Sequence, residues 1–213
     1  MGLTIRLVGK GRSMPTADEV ARFFLHLASK GERVPLTQMH LHKLLYYAQG
    51  EACARLRRPL FAEAIEAWRH GPVIASLYAT FRVYGKDAIL FSEARDGSFM
   101  SAEDREIVEA VWRRLRGYSA HKLRFRTHQE APWRNARGNR PDDARSRERI
   151  PLRAMFEHFA PDHVAWCRAR GVDPEQLAVE LDLAKRGEVV NIDLATMRAV
   201  DASRLPPQRA AVA

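Results

Sequence analysis

The sequence predicts an all-α or predominantly α domain with one small β element and a helical C-terminal extension. Helix caps and stops recur in quick succession from Thr16 to Gly187. The apolar residues between them repeat at helical spacing. Extended stretches are few and brief.

Thr16 with Glu19 three residues later forms a capping-box signature, and Val20, Phe23, Phe24 and Leu27 then share one face before Gly31. Thr37 caps a second amphipathic helix carrying Leu41, Leu44, Leu45, Ala48 and Ala52. Arg57-Arg58-Pro59 stops it, because proline and its predecessor resist helix. Tyr46 and Tyr47 are adjacent, so one is expected inside and the other nearer the surface. Ala64 to Trp68 reads as extended. Gly71-Pro72 reads as a turn with proline at the first position of a third helix, from about Val73 to Tyr84 and stopped by Gly85. Asp96-Gly97, flanked by Ile89-Leu90-Phe91 and Phe99-Met100, predicts a small hairpin.

Ser101 with Asp104 opens a fourth helix with Ile107, Val108, Val111, Trp112 and Leu115 inward. Ser119 caps a fifth, through about His128. Arg134 to Arg149, with Gly138, Pro141 and six Arg, reads as a basic loop. Pro151 starts a sixth helix with Leu152, Met155, Phe156 and Phe159. Beyond it, Asp162 to Arg170 and Asp173 to Gly187 read as helices, and Val189 to Ile192 as a strand. The expected organisation is a tail over 1–14, a domain over 15–160, a helical extension over 161–205 and a frayed tail over 206–213.

The chain has 213 residues, 46% hydrophobic and 29% charged, which excludes collagen-like and wholly disordered classes. No run approaches the ~18 apolar residues of a membrane span. No export signal is read at the start, and Cys53 and Cys167 make no disulfide framework, so a cytoplasmic protein with reduced thiols is expected. Thirty-five basic residues, 29 of them Arg, stand against 26 acidic ones, for a net charge of +9. That balance favours an acidic partner, either nucleic acid or a protein surface.

Enzyme motifs are missing: there is no P-loop, dinucleotide fingerprint, nucleophile elbow or His-Glu-x-x-His. His40 and His42, two apart, point to different helix faces. His121 and His128 lie two turns apart with Glu130 beyond, a set from which a hydrolytic metal site can be built, against the plainer reading of hydrogen-bonded histidines. Arg113 to Arg126 holds six bases and no acid, but no helix-turn-helix or RRM pattern accompanies it.

Several segments carry more in combination. Lys43-Leu44-Leu45-Tyr46-Tyr47-Ala48-Gln49-Gly50 is followed by Pro59-Leu60-Phe61, Glu66-Ala67-Trp68-Arg69-His70-Gly71-Pro72-Val73, Phe81, Tyr84-Gly85 and Thr127-His128-Gln129-Glu130-Ala131-Pro132-Trp133. This order and spacing, over about residues 15–160, resembles the Panacea domain family. The resemblance implies a compact helical domain without enzymatic activity or cofactor. It also implies an antitoxin role, with direct binding to a cognate toxin protein and, in some members, delivery of that toxin to the ClpXP protease. The family motif falls on Leu44, Tyr47, Trp68, His70, Gly71, Pro72, Val73, Phe81, Gly85, His128, Glu130 and Trp133, mainly as fold determinants. His128 and Glu130 are expected to bridge a helix end to the Trp68 turn. Partner contacts are expected at Arg124, Arg126, Arg137, Arg140, Trp166, Arg168 and Arg170, because interfaces favour Trp and Arg. Two other readings stay open: a nucleic-acid-associated autoregulator, and a metal-dependent hydrolase at His121, His128 and Glu130. No membrane partner is expected.

Overall fold

The computed structural model describes residues 14–141, 143–160, 191–193 and 198–200. In order they form α1 (Ala17–Ser29), α2 (Gln38–Leu56), β1 (Glu66–Trp68), β2 (Gly71–Val73), α3 (Ala75–Phe81), α4 (Ala102–Leu115), α5 (Ala120–Gln129), α6 (Ala131–Arg137), α7 (Leu152–Phe159), β3 (Asn191–Asp193) and β4 (Arg198–Val200). Short 3-10 turns cover Arg82–Tyr84 and Phe91–Glu93. The predominantly helical class is as the caps and spacing predict.

α2 is the axis of the domain. Helices α1, α4, α5 and α7 and strand β2 all pack on it. Every residue from Leu41 to Gly50 is consequently buried, far more than one amphipathic stripe requires. Tyr46 and Tyr47 are therefore both inside, at 0% and 2% exposure, where one was expected near the surface. Gly50 is what lets α7 come so close: a Cβ there would lie 2.4 Å from the Phe159 ring. Gln49 is also internal and almost fully engaged. Its Oε1 accepts from the amides of Leu60 (2.9 Å) and Phe61 (3.2 Å), and its Nε2 donates to the Phe61 carbonyl (3.1 Å). It ties Pro59-Leu60-Phe61 against the helix it follows.

The helix ends obey local rules. Thr16 Oγ1 accepts from the Glu19 amide (3.2 Å) while Glu19 Oε2 accepts from the Thr16 amide (2.8 Å), the reciprocal box that the sequence predicts. At α2, His40 Nδ1 fills the second half by accepting from the Thr37 amide at 3.1 Å. Arg57, at φ 57°, turns the chain out of α2 before Pro59. Ser101 and Ser119 cap α4 and α5.

Three local expectations are corrected. The third helix is shorter, Ala75–Phe81, and Pro72 and Val73 belong to β2, which pairs antiparallel with β1 in the register Glu66–Val73, Ala67–Pro72, Trp68–Gly71. Proline is tolerated there because a two-stranded sheet leaves it an edge position. The hairpin expected over Ile89–Met100 does not form, because its backbone groups are already engaged. Ile89 N–H donates to Leu36 O (2.8 Å), Arg95 N–H donates to Arg22 O (3.1 Å), and Ala88 bridges Thr37. Third, the basic loop starts later than Arg134, since α6 runs to Arg137. Its far end is fastened beside β1: Ala67 N–H donates to Glu148 O and Ile150 N–H to Ile65 O, both at 2.8 Å.

Within the expected extension, β3 and β4 pair antiparallel, with Ile192 opposite Ala199. β3 overlaps the strand read at Val189–Ile192. The two helices read between Asp162 and Gly187, and both terminal tails, lie outside the described residues.

Candidate protein-binding surface

The motif residues gather around the β1–β2 hairpin, whose tip is Arg69-His70. Gly71 has φ 95°, and a Cβ on it would lie 2.7 Å from Lys43 Cε and 2.9 Å from Thr127 Oγ1. Glycine is required there for its backbone angle and for space. Lys43, fully enclosed, donates from Nζ to Pro72 O at 2.9 Å. Burial, reinforced by the Arg124 charge, lowers its pKa to about 7. His42 Nδ1 lies 3.4 Å from the Ile74 amide and accepts from it. Burial, then the Lys43 charge, lowers the His42 pKa to about 3, so this imidazole is neutral at physiological pH.

Two tryptophans lock the hairpin to α6. Trp133 Nε1 donates to Trp68 O at 2.9 Å, and Trp68 Nε1 donates to Glu66 Oε2 at 2.7 Å. His128 stacks on Trp133 with centroids 3.9 Å apart. Glu130 faces the other way. Its Oε1 accepts from Tyr47 Oη at 2.8 Å, and its Oε2 lies 3.7 Å from His158 Nε2. Burial and then the Glu130 charge raise both the Tyr46 and Tyr47 phenols. The expected bridge to the Trp68 turn thus exists, but Trp133 makes it. Glu130 joins α2 to α7.

Of the motif set, Leu44, Tyr47, Gly71, Pro72, Val73, Phe81 and Trp133 are buried and Trp68, His128 and Glu130 half-buried. His70 and Gly85 are exposed; Gly85 accepts through its carbonyl from Gln38 Nε2 at 2.8 Å. The hydrolase set is pulled apart: His128 sits on Trp133, Glu130 on Tyr47, and His121 is exposed. Among the described residues no group of three or more His, Cys, Asp or Glu is placed to hold a metal ion. Cys53 is buried, and burial pushes its thiol up to about 12, so it is a poor nucleophile.

The expected partner contacts divide. Arg126 is exposed and lies over the rings of Tyr118 (5.4 Å) and Tyr47 (5.8 Å). Arg124 is half-buried beside the hairpin. Arg140 is exposed and paired with Glu148 at 2.8 Å. Arg137 is a correction: it is 2% exposed and cannot meet a partner. Its guanidinium donates to the carbonyls of Ala67 (3.2 Å), Pro141 (2.5 Å) and Ala144 (2.9 Å) and lies over the Trp133 ring, organising the basic loop from within. Trp166, Arg168 and Arg170 lie outside the described residues. Sequence reasoning assigned no role to Phe125, which is 67% exposed on α5. A bulky aromatic between two arginines was the available signal.

The polar bonding of these residues is turned inward to hold segments together, while arginines and isolated apolar side chains face outward. Comparison with known proteins adds to this picture. Residues 41–134 match the family described as Antitoxin SocA-like, Panacea domain. The chain is also 37% identical over 74 residues to Antitoxin SocA of Caulobacter vibrioides (strain NA1000 / CB15N), a match covering 35% of this chain. The match spans about 39% of that relative's length. No solved structure matches. Among the described residues no helix is long and apolar enough to cross a membrane.

Proposed function

We propose that the chain is a cytoplasmic antitoxin that neutralises a cognate toxin by binding it directly. The observation that carries this reading is the match of residues 41–134 to the SocA-like Panacea family. It agrees with a frame in which the matched polar residues serve the fold. The mechanism is occlusion. An interface of ordinary size, roughly 1,600 Å² in total, covers a functional patch on a small protein. The +9 charge accelerates encounter with an acidic toxin surface. The exposed Arg126 and Arg140 and the half-buried Arg124 are candidate contacts, and Trp166, Arg168 and Arg170 remain candidates on sequence grounds.

As an adaptor, the protein would also deliver the bound toxin to ClpXP. Two such surfaces cannot overlap, because toxin and protease must be held together. The adjacent reading frame tests the proposal. Its product, expressed alone, is expected to arrest growth, and co-expression of this chain is expected to restore it. Growth unaffected in both cases would contradict the reading. Toxin that is rescued yet equally abundant with and without ClpXP would leave occlusion and remove the adaptor role.

A further inference from the structure

We infer that the outward face of α5 is the toxin-docking surface, built to receive an acidic segment of the partner protein that places an apolar side chain on Phe125. This rests on the antitoxin reading and gives it a location.

The charge pattern of the face is one-sided. From Ala110 to Gln129 the chain has no acidic residue. α4 nevertheless pairs two of its bases, Arg114 with Glu51 at 2.6 Å and Arg113 with Glu109 at 3.8 Å. α5 does not: among the described residues Lys122, Arg124 and Arg126 form no ion pair with a carboxylate. An acidic partner would supply the missing counter-charge.

The face is also ordered before any partner arrives. Ala120, Leu123 and Thr127 are buried and seat the helix on the domain, which turns His121, Lys122, Phe125, Arg126 and Gln129 outward. Lys122 Nζ lies 4.3 Å and the Arg126 guanidinium 5.4 Å from the centre of the Tyr118 ring. These cation–π contacts restrain two long side chains, so less freedom is lost on docking. Phe125, exposed on the same helix and flanked in sequence by Arg124 and Arg126, adds an aromatic beside these cations, which is the composition of an interface anchor with a polar rim.

The same features disfavour a nucleic-acid strand. Sequence-tolerant strand binding stacks successive bases on several free aromatic faces. α5 offers one, since Tyr118 is already covered by Lys122 and Arg126.

The test is calorimetric titration of the full chain with the purified product of the adjacent reading frame, at low and moderate salt. Phe125→Ala is expected to weaken binding at least about 30-fold, the size of an interface hot spot. Lys122→Glu with Arg126→Glu is expected to weaken binding at low salt and flatten the salt dependence. Leu90→Ala, an exposed apolar site elsewhere, is the control and should bind as wild type. All variants should melt within a few degrees of wild type, since these side chains are exposed. If wild type binds and the α5 variants bind equally well, the location is wrong and the antitoxin reading stands. If wild type does not bind at all, both fall. Phe125-dependent binding of a single-stranded DNA probe, or a Phe125-dependent dimer of this chain, would overturn the proposal in favour of those occupants.

Discussion

Tyr47 and Phe125 sit on helices that pack together, and they contrast sharply. Tyr47 is 2% exposed, and its hydroxyl is committed to Glu130. Phe125 is 67% exposed, between arginines without carboxylate partners among the described residues. Around Tyr47 the family motif is used up in holding α2, the hairpin, α6 and α7 together. Around Phe125 the fold is held by the opposite side of the helix, where Ala120, Leu123 and Thr127 are buried, and the ring itself stays outside. A single scaffold can therefore be kept constant inside while its outer helix face changes to suit a partner.

The comparison breaks most readily at the two crowded glycines. Gly71→Ala places a Cβ against Lys43 at an unfavourable φ, and Gly50→Ala pushes one into Phe159. Each should lower unfolding free energy by about 2–4 kcal/mol in chemical denaturation, combining overpacking with backbone strain at Gly71. A loss below ~0.5 kcal/mol would mean that α7 and the hairpin are not seated as described.

Glu130→Ala comes next. It strips the Tyr47 hydroxyl of its acceptor and should cost about 1–3 kcal/mol, with a lowered melting temperature. An unchanged melting temperature with lost toxin binding would instead move Glu130 to the interface.

Lys43 sharpens the contrast through pH. Its pKa falls from 10.5 to about 7 on folding. Between those values the unfolded chain holds more protons, so stability should rise with pH, by up to about 1.4 kcal/mol per unit. Below 7 the penalty is fully present. Lys43→Met should flatten this rise in denaturation curves collected from pH 7 to 10. His42 acts on the acid side: with its folded value near 3 against 6.5 ordinarily, stability should fall as pH drops through that range. The smallest effect is expected outside. Arg126→Ala should change stability by no more than about 0.5 kcal/mol, as exposed substitutions do.

The helices were legible because caps and spacing are local. Thr16 with Glu19, Ser101 with Asp104 and the Arg57-Pro59 stop each act within a few residues. The misreadings came where tertiary partners decided. The chain turns over Gly97–Met100 and not at Asp96-Gly97, and α1 and Leu36 have engaged the flanking backbone. Pro72 suits a helix start locally, yet Glu66 to Trp68 pairs with its segment. Arg137 looks like any loop arginine until three carbonyls and Trp133 enclose it. Tyr46 followed the same logic: adjacency suggested one exposed ring, but α2 is covered on every side. The site was legible as a motif and misassigned in detail, because which partner Glu130 or Trp133 takes depends on α7 and on the hairpin.

The central claim is that this chain acts by holding one companion polypeptide. Size-exclusion chromatography of the co-expressed chain and adjacent-frame product measures this directly. A single stoichiometric peak that survives dilution to micromolar concentration is the predicted result. Two separate peaks under the same conditions would contradict it.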